Sequence, residues 1–317
     1  NLILLFFIFS LLSCTKIAEN ENKFSYFSEQ FADLKILRYQ IPGFDELSFD
    51  QKKLVYYLSQ AGLAGRDIMY DQNYRHNLKI RKALENIYSN YNGAKSSDEW
   101  KKFEIYLKRI WFSNGIHHHY SNDKFKPGFS ANYLKELLSE TNTNLENESF
   151  EVIFNTEDIK KVNLDASKGL VKGSAVNFYG TDITEADVDD FYSKIKVPNS
   201  KKPISLGLNS KLVRENGKIV EKIWKLGGMY SKEIKNIMYW LTKAKKVAEN
   251  EKQKHAFELL IKYYETGDLE VWDDYNIAWV ETTEGDVDYI NGFIEVYNDP
   301  KGYRGSYESV VQIKDFE

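Results

Sequence analysis

The chain has 317 residues, 42% of them hydrophobic and 15% aromatic, which excludes a disordered polymer and suffices for one large domain or two ordinary ones. Its 43 basic and 47 acidic residues leave a net charge of −4, with no basic run long enough to follow a phosphate backbone, so nucleic acid is excluded as a partner. The single cysteine, Cys14, excludes an intrachain disulfide and any cysteine-built metal centre.

An apolar run, Leu2 to Leu12, opens the sequence. It is too short to cross a bilayer, which takes about 20 residues, and fits the apolar core of a secretory signal. No Met and no basic segment precede it, which predicts a start a few residues upstream. The run ends Leu11-Leu12-Ser13-Cys14, which resembles a bacterial lipobox, where a small residue precedes a Cys that takes a lipid and becomes the mature N-terminus. Residues 1–13 are therefore expected to be a lipoprotein signal peptide, Cys14 the lipidation site and 14–22 a polar tether. The expected location is a bacterial membrane, on the outer-membrane or periplasmic side. An ordinary signal peptide or an uncleaved anchor with an incidental Cys is the alternative.

Residues 23–140 read as helical. Ser48-Phe-Asp-Gln51 is a capping box, followed by Leu54, Leu58 and Ala61 near helical spacing. Ile80, Leu84, Ile87 and Tyr91 continue that spacing, and Asn92-Gly93 supplies a pair suited to a left-handed helix stop. Ser96-Ser-Asp-Glu99 caps the next helix, and Leu134, Leu137 and Leu138 mark another. The polar stretch Thr141 to Glu148 is the expected internal boundary.

Residues 149–317 read as mixed. Glu151 to Phe154 suits a short strand. Thr184-Glu-Ala-Asp187 opens a helix that Pro198 ends. Strands over Leu206–Arg214 and Lys218–Trp224 meet at Glu215-Asn216-Gly217, a strong hairpin signal. Amphipathic helices follow at Ser231–Val247 and His255–Tyr264, the second stopped by Gly267. Strands at Asn276–Glu281 and Val287–Tyr297 are expected next. Helices and strands do not alternate regularly, so the fold class is α+β with an antiparallel sheet.

Three features bear on chemistry. On a strand, residues two apart share a face, so Glu295 and Tyr297 point the same way, and Asp299-Pro300, Gly302 and Arg304-Gly305 turn the chain back to bring Glu308 near them. A phenol beside carboxylates can donate to an oxyanion while the carboxylates hold an ammonium, although a Glu-x-Tyr alone is more often a solvated strand face. His117, His118 and His119 are consecutive, and consecutive residues point apart, so a structural or substrate-facing cluster is expected rather than a metal centre. His76 and His255 stand alone and read as surface or packing residues. No His-Glu pair, Walker loop, G-x-G-x-x-G or G-x-S-x-G occurs, so no metal ligands are assigned to this chain.

The segment Gly292-Phe-Ile-Glu-Val-Tyr-Asn-Asp-Pro300, with Gly302, Gly305 and Glu308, resembles the substrate-binding motif of the dipeptidyl peptidase III family of zinc peptidases. Ile110-Trp-Phe-Ser-Asn-Gly-Ile-His-His-His-Tyr120, Asn177-Phe-Tyr-Gly180, Gly207–Val213 and Tyr263–Leu269 resemble segments of bacterial members. The resemblance implies a bilobal enzyme that releases N-terminal dipeptides from oligopeptides. This chain would be the N-terminal portion, forming most of a lower lobe with a β-barrel core. It implies Tyr297 as oxyanion donor and Glu295 and Glu308 as the pocket for the substrate amine. Zinc, held through H-E-x-x-x-H and a pair of Glu residues, would come from a C-terminal part absent here, leaving the chain inactive alone. Asn298 departs from the Arg that members often carry after the Tyr, which puts that Arg's contact in doubt. The rival reading is a non-catalytic surface lipoprotein that binds peptides or other nutrients.

Overall fold

The computed structural model describes residues 24–156, 159–195 and 202–316, so the leader and Cys14 lie outside the described residues. Two compact units divide at Ile41/Pro42. In the first, β1 (Phe27–Phe31) pairs antiparallel with β2 (Leu34–Leu37). Phe24, Tyr26 and Tyr39 form an edge-to-face aromatic chain beside that hairpin.

The second unit begins with five helices, α1 (Phe49–Ala64), α2 (Arg66–Asn73), α3 (Asn77–Asn90), α4 (Asp98–Ser113) and α5 (Ala131–Glu140). Ser48 and Gln51 form the expected capping box of α1. The cap of α4 is Ser97, whose hydroxyl accepts from the Trp100 amide. Helix α3 ends at Asn90 with Tyr91 extended, so Asn92-Gly93 plays no left-handed stop there. Tyr70, Ile80, Leu84, Ile87, Trp100, Phe103, Leu107 and Ile110 bury their helical stripes in one core cluster.

Two segments expected as strands are helical. Glu151–Phe154 is the second half of α6 (Asn147–Phe154), where Phe150 and Ile153, three apart, bury one face. Asn276–Glu281 falls at the end of α10 (Leu269–Val280). Asp268 caps that helix, and Val271, Trp272, Tyr275 and Ala278 recur at helical spacing toward the core. Ile277 and Val280, which gave the stretch its strand-like composition, face outward at 53% and 66% exposure.

The remaining elements are α7 (Glu185–Ser193), β3 (Ser210–Glu215), β4 (Lys218–Ile223), α8 (Ser231–Lys245), α9 (Glu251–Thr266), β5 (Val287–Phe293) and β6 (Tyr307–Ile313). Asn216 and Gly217 both adopt positive φ and close the β3–β4 hairpin as their pairing predicts. The second core cluster joins α1, α8, α9 and α10 to β5 and β6 through Leu54, Leu241, Phe257, Trp272 and Phe293. Strands form three separate two-stranded antiparallel hairpins, and no barrel exists among the described residues. Three helices, α8 to α10, intervene between β4 and β5 and fill the core, so the β3–β4 and β5–β6 hairpins are joined by side-chain packing rather than by a shared ladder. The architecture is α+β and mostly helical.

Candidate functional site

The β5–β6 ladder pairs Gly292 with Glu308 and Phe293 with Tyr307. Along β5, the odd-numbered residues Val287, Tyr289, Asn291 and Phe293 point into the core. Continued unbroken, that alternation would bury Glu295 and Tyr297. It breaks at Ser306, whose carbonyl accepts from the Ile294 amide at 3.0 Å while its own amide donates to the Glu295 carbonyl at 2.9 Å. Two residues thus face one, a β-bulge that reverses the alternation. Ile294 and Val296 then pack against the core, and Glu295 and Tyr297 face outward, Tyr297 at 69% exposure. The two share a face, as their spacing predicts, but on an irregular segment beyond a strand that ends at Phe293. Gly305 makes the bulge possible, because a Cβ there would lie 2.6 Å from the Phe293 carbonyl carbon and 2.8 Å from the Ile294 nitrogen.

The turn from Val296 to Gly305 is organised by Asp299. Its carboxylate accepts from the backbone amides of Lys301, Tyr303 and Arg304 at 2.9–3.0 Å and from the Tyr179 hydroxyl at 2.9 Å. Arg304, 0% exposed, donates to Tyr179 at 3.1 Å and to Tyr192 at 2.7 Å. Tyr192 in turn donates to Glu221 on β4. The Arg304 guanidinium lies over the Tyr179 and Tyr192 rings at 4.5 and 5.1 Å, adding cation–π attraction in a desolvated setting. Burial raises the pKa of both tyrosines, which keeps them neutral donors. From α2, Gln72 accepts from the Tyr307 amide at 2.8 Å and donates to the Gly305 carbonyl at 3.2 Å. Asn298 folds back to Ser306 at 2.9 Å.

Glu295, Tyr297 and Glu308 interact electrostatically. Burial, then the charge of Glu295, holds the Glu308 carboxyl above its usual range. Partial burial, then Glu308, Glu295 and Tyr120, pushes the Tyr297 phenol up, so it stays protonated and able to donate. A site with two carboxylates and a neutral phenol suits a cationic group beside a developing negative oxygen.

Tyr120 carries no signal of its own in the sequence beyond following the histidine run. It stands 84% exposed at the tip of a turn, against the His119 ring at 4.4 Å. Against the expectation that consecutive side chains point apart, only His117 turns away, while the His118 and His119 rings lie together. His117 is buried with Nε2 2.9 Å from the Ile159 carbonyl oxygen, His118 accepts from the Tyr120 and Ser121 amides at 3.1 Å, and His119 stacks on His118 at 4.5 Å. His76 packs inside, Nδ1 3.0 Å from Ser149, and His255 is exposed. Among the described residues no three His, Cys, Asp or Glu side chains are grouped to hold a metal.

The Asp299–Tyr179–Arg304 chain sets one expectation. Tyr179→Phe removes a hydroxyl that both donates to Asp299 and accepts from Arg304, leaving two buried polar partners short, and is expected to cost about 1–3 kcal/mol in urea unfolding. A loss within error of zero would show that the chain contributes nothing to stability.

The sequence pattern of Peptidase family M49 matches residues 134–317, more than half of the chain. Dipeptidyl peptidase 3 of Dictyostelium discoideum is 21% identical over 87% of this chain and 43% of its own length. Dipeptidyl peptidase 3 of Nematostella vectensis is 33% identical over 86 residues, 27% of this chain and 12% of its own length. The solved structure of DPP III from Caldithrix abyssi shares the fold at a TM-score of 0.58 and 18% identity, covering 88% of this chain and 41% of that one. DPP III from Corallococcus sp. strain EGB does so at 0.59 and 15%, covering 87% and 41%. The chain spans less than half the length of the curated relatives it matches. On the family match, which includes the whole bulged hairpin, the chain belongs to Peptidase family M49.

Proposed function

We propose that this chain supplies the substrate-holding side of a dipeptidyl peptidase III-type active site, which releases N-terminal dipeptides from oligopeptides. The observation that carries the reading is the outward face at the bulge, where Glu295 and Tyr297, beyond β5, interact with Glu308 of β6. Family membership supports the reaction class. Glu295 and Glu308 take the free α-ammonium of the peptide and so fix which peptide bond reaches the reacting position. An N-acetylated peptide would leave both carboxylates uncompensated. Tyr297 donates to the oxyanion of the tetrahedral intermediate, an interaction that strengthens only as charge develops.

A zinc ion in such an enzyme activates the attacking water. The described residues do not fit that ion, having no grouped ligands, and the sequence has no H-E-x-x-x-H. This chain then contributes binding and oxyanion stabilisation, the metal ligands lie outside it, as the relatives' more than twofold greater length allows, and the chain is inactive alone. We also propose that Cys14 carries a lipid tethering the protein to a bacterial membrane, on the strength of Leu11-Leu12-Ser13-Cys14.

In the full-length enzyme, Tyr297→Phe is expected to lower kcat by roughly 10²–10³-fold with a small change in KM. An unchanged kcat would remove the oxyanion role. Because the Glu308 carboxyl is raised, it protonates at a higher pH than a free carboxylate, so kcat/KM for free-amine peptides should fall early as the medium turns acid. Glu295→Gln removes the neighbouring charge and should move that acid limb to lower pH, and a limb that stays put would uncouple the pair. Cys14→Ser should abolish incorporation of labelled fatty acid in a bacterial host, whereas retained label would place the anchor elsewhere.

A further inference from the structure

The outward side of α8 carries a stripe that the peptidase site does not use. Lys232, Lys235, Tyr239, Lys243 and Lys246 follow one another at spacings of three, four, four and three residues, so they share one side of the helix. Asn236 and Thr242 complete that side, and no carboxylate stands on it. The other side, with Ile234, Ile237, Leu241 and Ala244, is buried in the core. The four lysines are spread over about 21 Å of helix, at 1.5 Å per residue, and make no ion pair among the described residues. Lys245, to one side of the stripe, pairs with Glu258 of α9 at 3.5 Å, and Glu233 is the one acidic residue of the helix.

Aromatic rings border the stripe. Trp240 stands edge-to-face with Tyr239 at 5.0 Å and with Tyr56 of α1 at 5.8 Å, and it stacks on Tyr57 at 6.0 Å. The Lys243 ammonium lies over this group, 5.0 Å from the Tyr239 ring centroid, 5.7 Å from Tyr57 and 5.8 Å from Trp240. Tyr239 and Tyr56 are nevertheless 55% and 53% exposed. Two packed helices thus hold large amphipathic rings in water beside cations that no carboxylate neutralises.

Four ammonium groups strung along one helix side match negative charge spread over a surface better than a single anion. Lysine stems lie on apolar surface with the charge at the polar boundary, and Tyr and Trp rings settle at the level of lipid headgroups. We propose that the α1–α8 face docks on an anionic lipid bilayer, with Lys232, Lys235, Lys243 and Lys246 against headgroup phosphates and Tyr56, Tyr239 and Trp240 among the headgroups. The complementarity of charge acts within about a Debye length of the bilayer. Docking needs neither the Glu295, Tyr297 and Glu308 site nor a lipid on Cys14, so each of the three assignments stands or fails alone.

The 317-residue chain with Cys14→Ser and Asn236→Cys tests this, because a polarity-sensitive thiol dye then reports from the stripe alone. Its emission should shift to the blue on vesicles of phosphatidylcholine with phosphatidylglycerol, stay put on phosphatidylcholine alone, and lose the shift as salt is added. The apolar run from Leu2 to Leu12 adheres to either vesicle and so does not produce that dependence on charge and salt. The triple variant Lys232→Gln, Lys235→Gln, Lys246→Gln should raise the half-saturating lipid concentration at least about tenfold, while Lys101→Gln, Lys126→Gln, Lys218→Gln should not. All six lysines are exposed, and circular dichroism checks that the variants fold. An equal shift on neutral vesicles, no shift on either, or an unchanged response in the first triple variant overturns the proposal. Soluble heparin held through the same lysines, with the dye unmoved by anionic vesicles, also overturns it and assigns the face to an acidic macromolecule.

Discussion

The arrangement of the candidate site rests on how the chain compensates one fully buried cation. Arg304 has left water altogether, and an unpaired guanidinium in that position would be prohibitive. The protein meets this with two tyrosine oxygens, the aromatic faces of Tyr179, Tyr192 and Tyr303 and, one hydrogen bond further out, the carboxylates of Asp299 and Glu221. The arrangement spreads charge across a chain of polar groups instead of forming one direct ion pair. Its members come from the loop before α7, from α7 itself, from β4 and from the site turn. Packing the core and shaping the turn are therefore a single problem, since Asp299 cannot serve Tyr179 without also gathering three backbone amides of the turn.

The bulge at Ser306 converts that rigidity into a functional face. A regular hairpin would carry the inward phase of β5 through to Glu295 and Tyr297, burying a carboxylate and a phenol among Trp272 and Phe293. One extra residue reverses the phase and sends Ile294 and Val296 inward instead. The carboxylates then meet at the surface, where their mutual repulsion is tolerable and a cation can relieve it.

Features with local causes were legible in the sequence. Ser48 and Gln51 announce the start of α1, Asn216-Gly217 closes its hairpin, and Gly267 stops α9 at positive φ, because each outcome depends on a few adjacent residues. Glu295 and Tyr297 could be placed on one face from their spacing alone. Where burial decides, local pattern misleads. Ile277 and Val280 make the end of α10 look like a strand, yet the stripe from Val271 to Ala278 and the Asp268 cap settle it as helix. The bulge was invisible because it depends on hydrogen bonds between Ser306 and both Ile294 and Glu295 across the hairpin. The pairing of Arg304 with Tyr179 and Tyr192, more than a hundred positions earlier, has no local signature at all. The barrel implied by family resemblance does not appear among the described residues, where strands pair only two by two.

Gln72 has a consequence of its own. A single side chain on α2 grips the carbonyl of Gly305 and the amide of Tyr307, reading the returning strand at two fixed points. It works as a gauge of chain length. If the segment between Glu295 and Glu308 gained or lost one residue, either Asp299 would lose its amides or Gln72 would lose its grip, and a slip of one position along β6 would turn Glu308 toward the core. Side chains on the outer rim of the turn can change freely under this arrangement, but the number of residues in it cannot.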